Sequence, residues 1–237
     1  MSGRLFAVGV GPGDPEFLTL KAVRILKETG TIAVPRGRED GRSLALDIIG
    51  GAVDVAGKAI IEIHFPMKRE IGAEELAPAA GRILEALRKG EDVAFVTLGD
   101  PTLYSTFFRL REAINLLDPY VPIEIVPGVT SVTAAAARAG RRLAISGEKL
   151  AVLPAFCRNE LKDILERFET VCLMKAGSAF KEIKKILEEA GVAGDAICVS
   201  RTGMAGELVK PVADVNEEEL DYFSTIIVAG KSGKGSI

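Results

Sequence analysis

The stretch Gly9-Val-Gly-Pro-Gly-Asp-Pro15 follows the apolar run Leu5–Val10, which predicts a strand ending in a glycine-rich turn. Glycines at such a turn let the backbone bend sharply and approach a ligand closely. The G-x-G-x-x-G register of a dinucleotide-binding turn fails because residue 14 is an aspartate. Pro12 also removes a backbone N–H that a phosphate cradle would use. Alone, this turn is either a ligand loop of another kind or a structural bend.

Beyond this turn, short apolar or β-branched runs alternate with helical patterns, which predicts an α/β fold. Two amphipathic helices are predicted because apolar residues recur at helical spacing. One ends before Gly90, and the other has Ser178 as its predicted N-terminal cap and ends before Gly191. Their apolar stripes are Leu76, Ala80, Ile83 and Leu87, and Phe180, Ile183, Ile186, Leu187 and Ala190. The predicted strands are Leu5–Val10, Thr31–Val34, Asp92–Leu98, Ile123–Val126, Leu150–Leu153, Thr170–Met174, Ala196–Ser200 and Thr225–Ala229.

Two prolines interrupt the pattern near the middle of the chain, in Asp118-Pro-Tyr-Val-Pro122. This junction predicts an N-terminal α/β lobe over residues 1–120 and a C-terminal α/β lobe over residues 121–237. Because the junction is short and stiff, we expect two packed lobes with a cleft between them, a common place for a ligand.

Composition excludes several classes of protein. The 237 residues are 48% hydrophobic and 27% charged, which is typical of a globular protein and not of a disordered one. The net charge of −3 argues against a general nucleic-acid binder, which needs a basic surface. No apolar run approaches the roughly 20 residues of a membrane span, and the N-terminus lacks the layout of a signal peptide, so a cytoplasmic location is expected.

Neither the cysteines nor the histidine predict a metal site. Cys157, Cys172 and Cys198 are 15 and 26 residues apart, which fits no C-x-x-C knuckle, and their apolar neighbours predict thiols in the core. His64 is the sole histidine and cannot form a histidine-rich site. We therefore expect no protein-bound metal.

A second motif, Thr97-Leu-Gly-Asp-Pro-Thr-Leu-Tyr-Ser-Thr106, follows the strand that ends at Leu98. Gly99 permits a tight turn, Pro101 can begin the next helix, and Asp100 places a carboxylate at the carboxyl end of a strand. Such strand ends line the ligand crevice of α/β sheets. Asp100 therefore either faces a ligand or caps the helix that follows.

A third motif, Val126-Pro-Gly-Val-Thr-Ser-Val-Thr133, precedes a run of alanines. Thr130 and Ser131 offer hydroxyls that either contact a ligand or cap the helix. We expect the second and third loops to leave adjacent strand ends.

In this order, the three motifs resemble those of the tetrapyrrole methylases, the two-lobed S-adenosylmethionine-dependent enzymes of cobalamin and sirohaem synthesis. The stretches Gly41–Ile48, Phe65–Met67, Tyr104–Thr106 and Leu150–Ala155 are most similar to the branch that methylates carbon 20 of precorrin-2 or cobalt-factor II. The resemblance implies the class III methyltransferase fold, two α/β lobes with an interlobe cleft. It also implies a homodimer and the cofactor S-adenosylmethionine, with a tetrapyrrole as the substrate.

The resemblance implies particular residues as well. Asp100 or Tyr104 would act as a general base or orient a water. Because a tetrapyrrole substrate carries carboxylates and would need local cations, Arg36 and Arg109 are predicted to bind it, with Arg38, Arg42, Lys68 and Arg69 as further candidates. Thr202-Gly203 follows Arg201 where many relatives have Ala-Thr after an arginine. The cofactor would contact Pro12, Gly99, Asp100, Leu103, Thr130, Ser131, Met174, Thr202 and Thr225.

Three other functions remain open. A related methylase could act at a different ring carbon. A nicotinamide-dependent reductase would need an acidic residue closing the second strand, which here ends Val34-Pro-Arg36. A non-catalytic tetrapyrrole carrier would explain the basic residues but not three separate loops. The sequence leaves open whether the substrate ring holds cobalt.

Overall fold

The computed structural model describes residues 2–36, 43–65 and 72–229. The chain forms two compact units that divide between Thr130 and Ser131. Each unit is built on a sheet with helices, so the prediction of two α/β lobes is confirmed. The division falls after the proline junction at 118–122, because the strand that follows those prolines pairs with the first strand of the chain.

The first unit contains a five-stranded sheet in which every pairing is parallel. The strand order is β3-β2-β4-β1-β5. Its strands are β1 (Leu5–Gly9), β2 (Thr31–Pro35), β3 (Ala59–Ile63), β4 (Val93–Thr97) and β5 (Ile123–Val126), and its helices are α1 (Leu20–Glu28), α2 (Leu44–Gly50), α3 (Ala73–Arg88) and α4 (Phe107–Leu117).

Two apolar clusters form the core of this unit. One includes residues of α3 and α4 together with Phe95, and the other includes residues of α1 and α2 together with Val96. Successive residues of β4 thus pack into different clusters, so both faces of the sheet are covered and β4 is buried throughout. The predicted stripe of α3, Leu76, Ala80, Ile83 and Leu87, is buried.

The second unit contains a mixed sheet in the order β6-β7-β10-β8-β9, in which β6 and β7 are parallel and the other pairings are antiparallel. Its strands are β6 (Leu150–Pro154), β7 (Thr170–Met174), β8 (Ala196–Ser200), β9 (Leu208–Pro211) and β10 (Ser224–Ala229), and its helices are α5 (Ser131–Arg138), α6 (Leu161–Arg167) and α7 (Phe180–Glu189). Short 3₁₀ turns cover Pro15–Phe17, Ala155–Glu160, Gly177–Ala179, Ala193–Asp195, Val212–Asp214 and Glu217–Glu219.

Three local predictions were wrong. Pro101 does not begin a helix, because α4 begins at Phe107 after a non-helical turn. Ser178 does not cap α7, since it lies within a 3₁₀ turn and Ala179 occupies the capping position. The second loop follows β4 and the third loop follows β5, and these two strands are not neighbours because β1 lies between them.

The prediction of core thiols is confirmed for Cys172 and Cys198, which are buried, while Cys157 is half-buried. Burial raises the pKa of both Cys172 and Cys198 to about 12. These two thiols are therefore protonated at neutral pH and chemically inert. Within residues 2–36, 43–65 and 72–229, no helix is long and apolar enough to cross a bilayer.

Candidate functional site

The three loops predicted from the sequence all leave the same edge of the first sheet. Its strands are parallel, so their carboxyl ends meet there, and β1 stands between β4 and β5. The first and second loops are joined through backbone hydrogen bonds. Gly11 and Gly99 form a bridge in which each N–H donates to the other's carbonyl, at 3.3 and 2.8 Å. The structure therefore brings the first two motifs together.

Glycine is required where these loops cross. A Cβ on Gly128 would lie 2.2 Å from the carbonyl oxygen of Gly99, and one on Gly9 would lie 2.6 Å from the same oxygen. Gly99 itself has a φ of +69°, a conformation that favours glycine. The loops therefore approach each other by backbone alone, and no side chain fits between them.

Asp100 ties the second loop to the third. Its Oδ2 accepts a hydrogen bond from the backbone N–H of Gly128 at 2.8 Å. Its Oδ1 accepts from the N–H of Thr102 at 2.7 Å and from the Thr102 hydroxyl at 2.5 Å. The residue is only 8% exposed. Both carboxylate oxygens are thus engaged within the protein.

Two opposed effects act on the Asp100 carboxyl. Its burial alone would raise the pKa, whereas hydrogen bonds from the Thr102 hydroxyl and from the N–H groups of Gly128 and Thr102 lower it. The hydrogen bonds prevail, and the pKa of Asp100 lies below its usual value. An ionised carboxylate with a low pKa is a weak proton acceptor near neutral pH. The geometry favours a structural role for Asp100 over a ligand contact, but the carboxylate caps a turn and not the helix that was expected.

Tyr104 differs from Asp100 in both exposure and backbone conformation. Its φ is +50°, in the left-handed region, and the residue is 43% exposed. A non-glycine residue held there costs of order 1–3 kcal/mol, and such strain is common at functional sites. Leu103 and Pro12 lie in the same group of loops, half-buried and buried respectively.

The predicted substrate residues are both exposed. Arg36 directly follows β2, at the same carboxyl edge as the three loops. Arg109 lies in the first turn of α4 and pairs with Glu112 at 3.2 Å, a surface ion pair that a ligand carboxylate can replace at little cost. Arg38, Arg42, Lys68, Arg69 and part of the Gly41–Ile48 and Phe65–Met67 motifs lie outside the described residues.

In the second unit, the predicted cofactor residues gather at one edge of the mixed sheet. Met174 ends β7 and is the register partner of Thr225 at the start of β10. Ser200, at the end of β8, pairs with Ser224 at the start of β10. Thr202 follows the end of β8 and therefore leaves the sheet at the same edge. Thr202 and Thr225 are each only 3% exposed. Ser131 begins α5, which contacts both β7 and β10.

The loop Arg201–Glu207 was not predicted as a unit from the sequence. Arg201 has a φ of +55°, and Gly203 and Gly206 also have positive φ. The Arg201 Nε donates to Asp221 at 2.7 Å, and Glu207 accepts from the N–H of Gly203. The two glycines of Arg-Thr-Gly-Met-Ala-Gly-Glu were the available signal for a constrained loop.

The described residues contain no cluster of three or more histidine, cysteine, aspartate or glutamate side chains arranged to hold a metal ion. His64 is exposed directly after β3. That the protein holds no metal stays a prediction.

The sequence profile of the Tetrapyrrole (Corrin/Porphyrin) Methylases matches residues 4–216. The chain belongs to this family. The resemblance inferred from the three motifs is thereby confirmed. In this tetrapyrrole methylase the residue directly after β2 is an arginine, whereas a nicotinamide-dependent reductase would need an acidic residue there.

Similar proteins extend the family assignment to the carbon-20 branch. This tetrapyrrole methylase is 37% identical to the cobalt-precorrin-2 C(20)-methyltransferase of Salmonella typhimurium, over 96% of this chain and 97% of that one. It is 29% identical to the precorrin-2 C(20)-methyltransferase of a Sinorhizobium species, over 96% of each. The X-ray structure of a cobalt precorrin-4 methyltransferase superposes with a TM-score of 0.73 at 25% identity, covering 95% of this chain and 94% of that one.

Proposed function

We propose that this protein is an S-adenosylmethionine-dependent methyltransferase that methylates carbon 20 of precorrin-2 or cobalt-factor II in cobalamin biosynthesis. The observation that carries the proposal is the 37% identity to a cobalt-precorrin-2 C(20)-methyltransferase over nearly the whole of both chains. The lower identity of 29% to a relative named precorrin-2 C(20)-methyltransferase favours the cobalt-containing ring as the natural substrate.

The residues at the carboxyl edge of the first sheet fit the chemistry of the cofactor. S-adenosylmethionine, when bound, supplies a methyl group on a cationic sulfonium, which leaves as a thioether when the methyl is transferred to a ring carbon that then loses a proton. A Cβ at Gly9 or Gly128 would collide with the backbone of a neighbouring loop, so the loops meet at this edge through bare backbone. Asp100 adds a buried negative charge of the sign that attracts a sulfonium.

We assign Asp100 to positioning. Its carboxylate fixes the Gly128 N–H and thereby sets where the third loop lies relative to the second. Correct placement of two reactants can provide about 7–11 kcal/mol of the barrier reduction. Since the methyl donor is already activated, this placement is the main task of the loops.

We assign Tyr104 to orienting a water that takes the proton lost from the reacting carbon. It is the exposed member of the predicted pair, and its strained backbone holds the side chain at the loop surface. Replacement by phenylalanine removes the hydroxyl and keeps the ring. A hydroxyl that orients the water that takes the proton predicts a slower single-turnover methyl transfer, with the roughly 10²–10⁴-fold contribution of general base catalysis as the upper range.

The assignments of the two units and of the cofactor residues follow from the resemblance to the family, and those of the substrate arginines follow from the carboxylates of a tetrapyrrole. Arg36 and Arg109 bind substrate carboxylates, and the first unit binds the tetrapyrrole. The second unit completes the cofactor site with Ser131, Met174, Thr202 and Thr225. We also propose a homodimer. Light scattering behind a sizing column would show a mass near twice 25.2 kDa.

One experiment tests the reaction directly. The protein is offered precorrin-2 and cobalt-factor II separately, each with S-adenosylmethionine that carries a ¹³C methyl group, and the label is located by carbon NMR. We expect the label on carbon 20, with faster transfer to the cobalt-containing ring. Label on another ring carbon would identify a different methylase of the family, and no transfer to either substrate would reject the proposal.

A further inference from the structure

Glu207 holds together two segments of the second unit that carry predicted cofactor contacts. Its Oε2 accepts a hydrogen bond from the N–H of Gly203 at 2.5 Å, and its Oε1 accepts from the Nε of Arg138 at 2.7 Å. Arg138 is the last residue of α5, the helix that begins with Ser131. Gly203 directly follows Thr202.

We infer that Glu207 is a positioning residue for the cofactor, since it fixes the Thr202 loop against the helix that Ser131 begins. This inference rests on the proposed function, which places Ser131 and Thr202 at S-adenosylmethionine. The carboxylate is a bridge of two hydrogen bonds, one to the loop and one to the helix. We refer to Arg138, Gly203 and Glu207 as the second-unit clamp.

The loop needs this clamp because its backbone is intrinsically unfavourable. Arg201 is held at a φ of +55°, and Gly203 and Gly206 are at +74° and +78°. Glycine pays the largest entropy cost on ordering, and a left-handed arginine is strained. Backbone carbonyls already accept the N–H groups of Arg201, Met204 and Glu207, and Asp221 accepts from the Arg201 side chain. The Glu207 carboxylate adds the bond to Gly203, the residue next to Thr202, and thereby helps to hold Thr202 in position.

The clamp is partly exposed, which separates its local effect from global folding. The Glu207 side chain is 18% exposed and that of Arg138 is 53% exposed. The Thr202 backbone stands at the sheet edge where Met174 and Thr225 pair. Loosening the loop therefore changes the geometry of this edge while the apolar core of the unit stays packed.

The same unit offers a matched control in Glu148. Its carboxylate accepts from the Nη2 of Arg142 at 2.7 Å and from the N–H of Ile145 at 2.9 Å, and the Glu148 side chain is 22% exposed. Glu148 thus makes the same two kinds of bond. Glu148 lies just before the start of β6, and the start of β6 pairs with the start of β7. Met174 is at the end of β7, so Glu148 lies at the opposite edge of the sheet.

The test compares Glu207→Ala, Glu207→Gln and Glu148→Ala in the full chain. We expect Glu207→Ala to raise the Kd for S-adenosylmethionine in calorimetry about tenfold, which corresponds to 1.4 kcal/mol. Glu207→Gln should stay within about threefold of wild type, because its carbonyl oxygen can keep the Gly203 bond while the exposed Arg138 moves aside. Glu148→Ala should lower the unfolding temperature as much as Glu207→Ala does and leave the Kd unchanged.

Kinetics give a second readout. The KM for the tetrapyrrole should be unchanged in Glu207→Ala, since the clamp contains no predicted substrate residue. If Glu207→Ala does not fold, Arg138→Gln serves instead, and it should raise the Kd in the same direction by about threefold, roughly 0.65 kcal/mol.

The outcomes separate the two proposals. If wild type binds S-adenosylmethionine and the Glu207 and Glu148 variants bind it equally well, the inference is overturned and the proposed function stands. If wild type does not bind it, the proposed function fails, and the inference falls with it.

Discussion

Replacing Asp100 by asparagine should release the third loop. The carboxylate serves two backbone N–H groups with two oxygens, Oδ2 for Gly128 and Oδ1 for Thr102. Asparagine has a single oxygen, and its NH2 group cannot accept a hydrogen bond. In either orientation of the amide, one of the two N–H groups therefore faces another donor. The Thr102 bond is local, so we expect the amide oxygen to keep it and the Gly128 bond to be lost.

The cost follows from the burial of the site. A hydrogen bond to a charged group contributes about 1.5–3 kcal/mol to stability, and the donor that is left lies in a half-buried loop. For a chain of this size, that loss lowers the unfolding midpoint by roughly 3–12 °C. Asp54→Asn is the matched control, because among the described residues Asp54 accepts only from the N–H of Ala56, and asparagine can keep that bond.

Three measurements separate positioning from proton transfer. Hydrogen exchange at the Gly128 amide should quicken in Asp100→Asn and stay slow in Asp54→Asn. The Kd for S-adenosylmethionine should rise about tenfold or more, since the Gly128 loop leads directly to Thr130. If Asp100 were a base, single-turnover methyl transfer would slow at an unchanged Kd. If the Gly128 amide of Asp100→Asn exchanged as slowly as it does in the wild type, the reasoning would be refuted.

The pH dependence of stability gives an independent check. The pKa of Asp100 is lowered from 3.8 in the folded protein. A group whose folded pKa is lowered contributes stability that is fully present above its unfolded value and is lost as the pH falls through the folded value. The difference in unfolding free energy between wild type and Asp100→Asn should therefore hold at neutral pH and shrink below about pH 3.8. A difference that stayed constant down to pH 2 would show that the charge is irrelevant.

Gly128→Ala should abolish cofactor binding in calorimetry, because its Cβ would lie 2.2 Å from the Gly99 carbonyl oxygen, whereas Gly30→Ala meets nothing within 4 Å and should bind normally. Normal binding by Gly128→Ala would contradict the close approach of the loops. At pH 8, a thiol reagent should modify at most one cysteine per native chain, since the pKa values of Cys172 and Cys198 are about 12. Modification of all three without unfolding would contradict their burial. Arg36→Gln should raise the KM for the tetrapyrrole several-fold at an unchanged Kd for the cofactor, with Arg24→Gln on α1 as the control, and an unchanged KM would remove Arg36 from the substrate site.

The strands that carry the site were predictable because they are buried and apolar. β4 lies in the interior on both faces, and its sequence reads as a continuous apolar run. β3 and β9 were missed for the opposite reason. Both are edge strands with half-exposed residues, and Glu62 in one and Lys210-Pro211 in the other obscure the pattern.

The contacts of the site could not be predicted in the same way. The bond from Gly128 to Asp100 joins residues 28 positions apart, and it forms because β4 and β5 flank β1. Strand order is a long-range property that no local motif encodes. The sequence therefore placed Asp100 at a strand end but left its role open between ligand contact and capping. The observed contacts supply a third role, a bond between loops.

Each unit holds a predicted cofactor segment by the same chemical device, a carboxylate that accepts the N–H of a glycine. Asp100 binds Gly128 in the first unit, and Glu207 binds Gly203 in the second. Glycine lets the backbone reach the carboxylate, and the negative charge makes the bond stronger than a neutral one. An enzyme whose methyl donor is already activated gains most from such fixed backbone, because the barrier that remains is largely one of alignment. The charges of these loops therefore have a reason to exist without accepting a proton, which accounts for a buried aspartate of lowered pKa between the second and third loops.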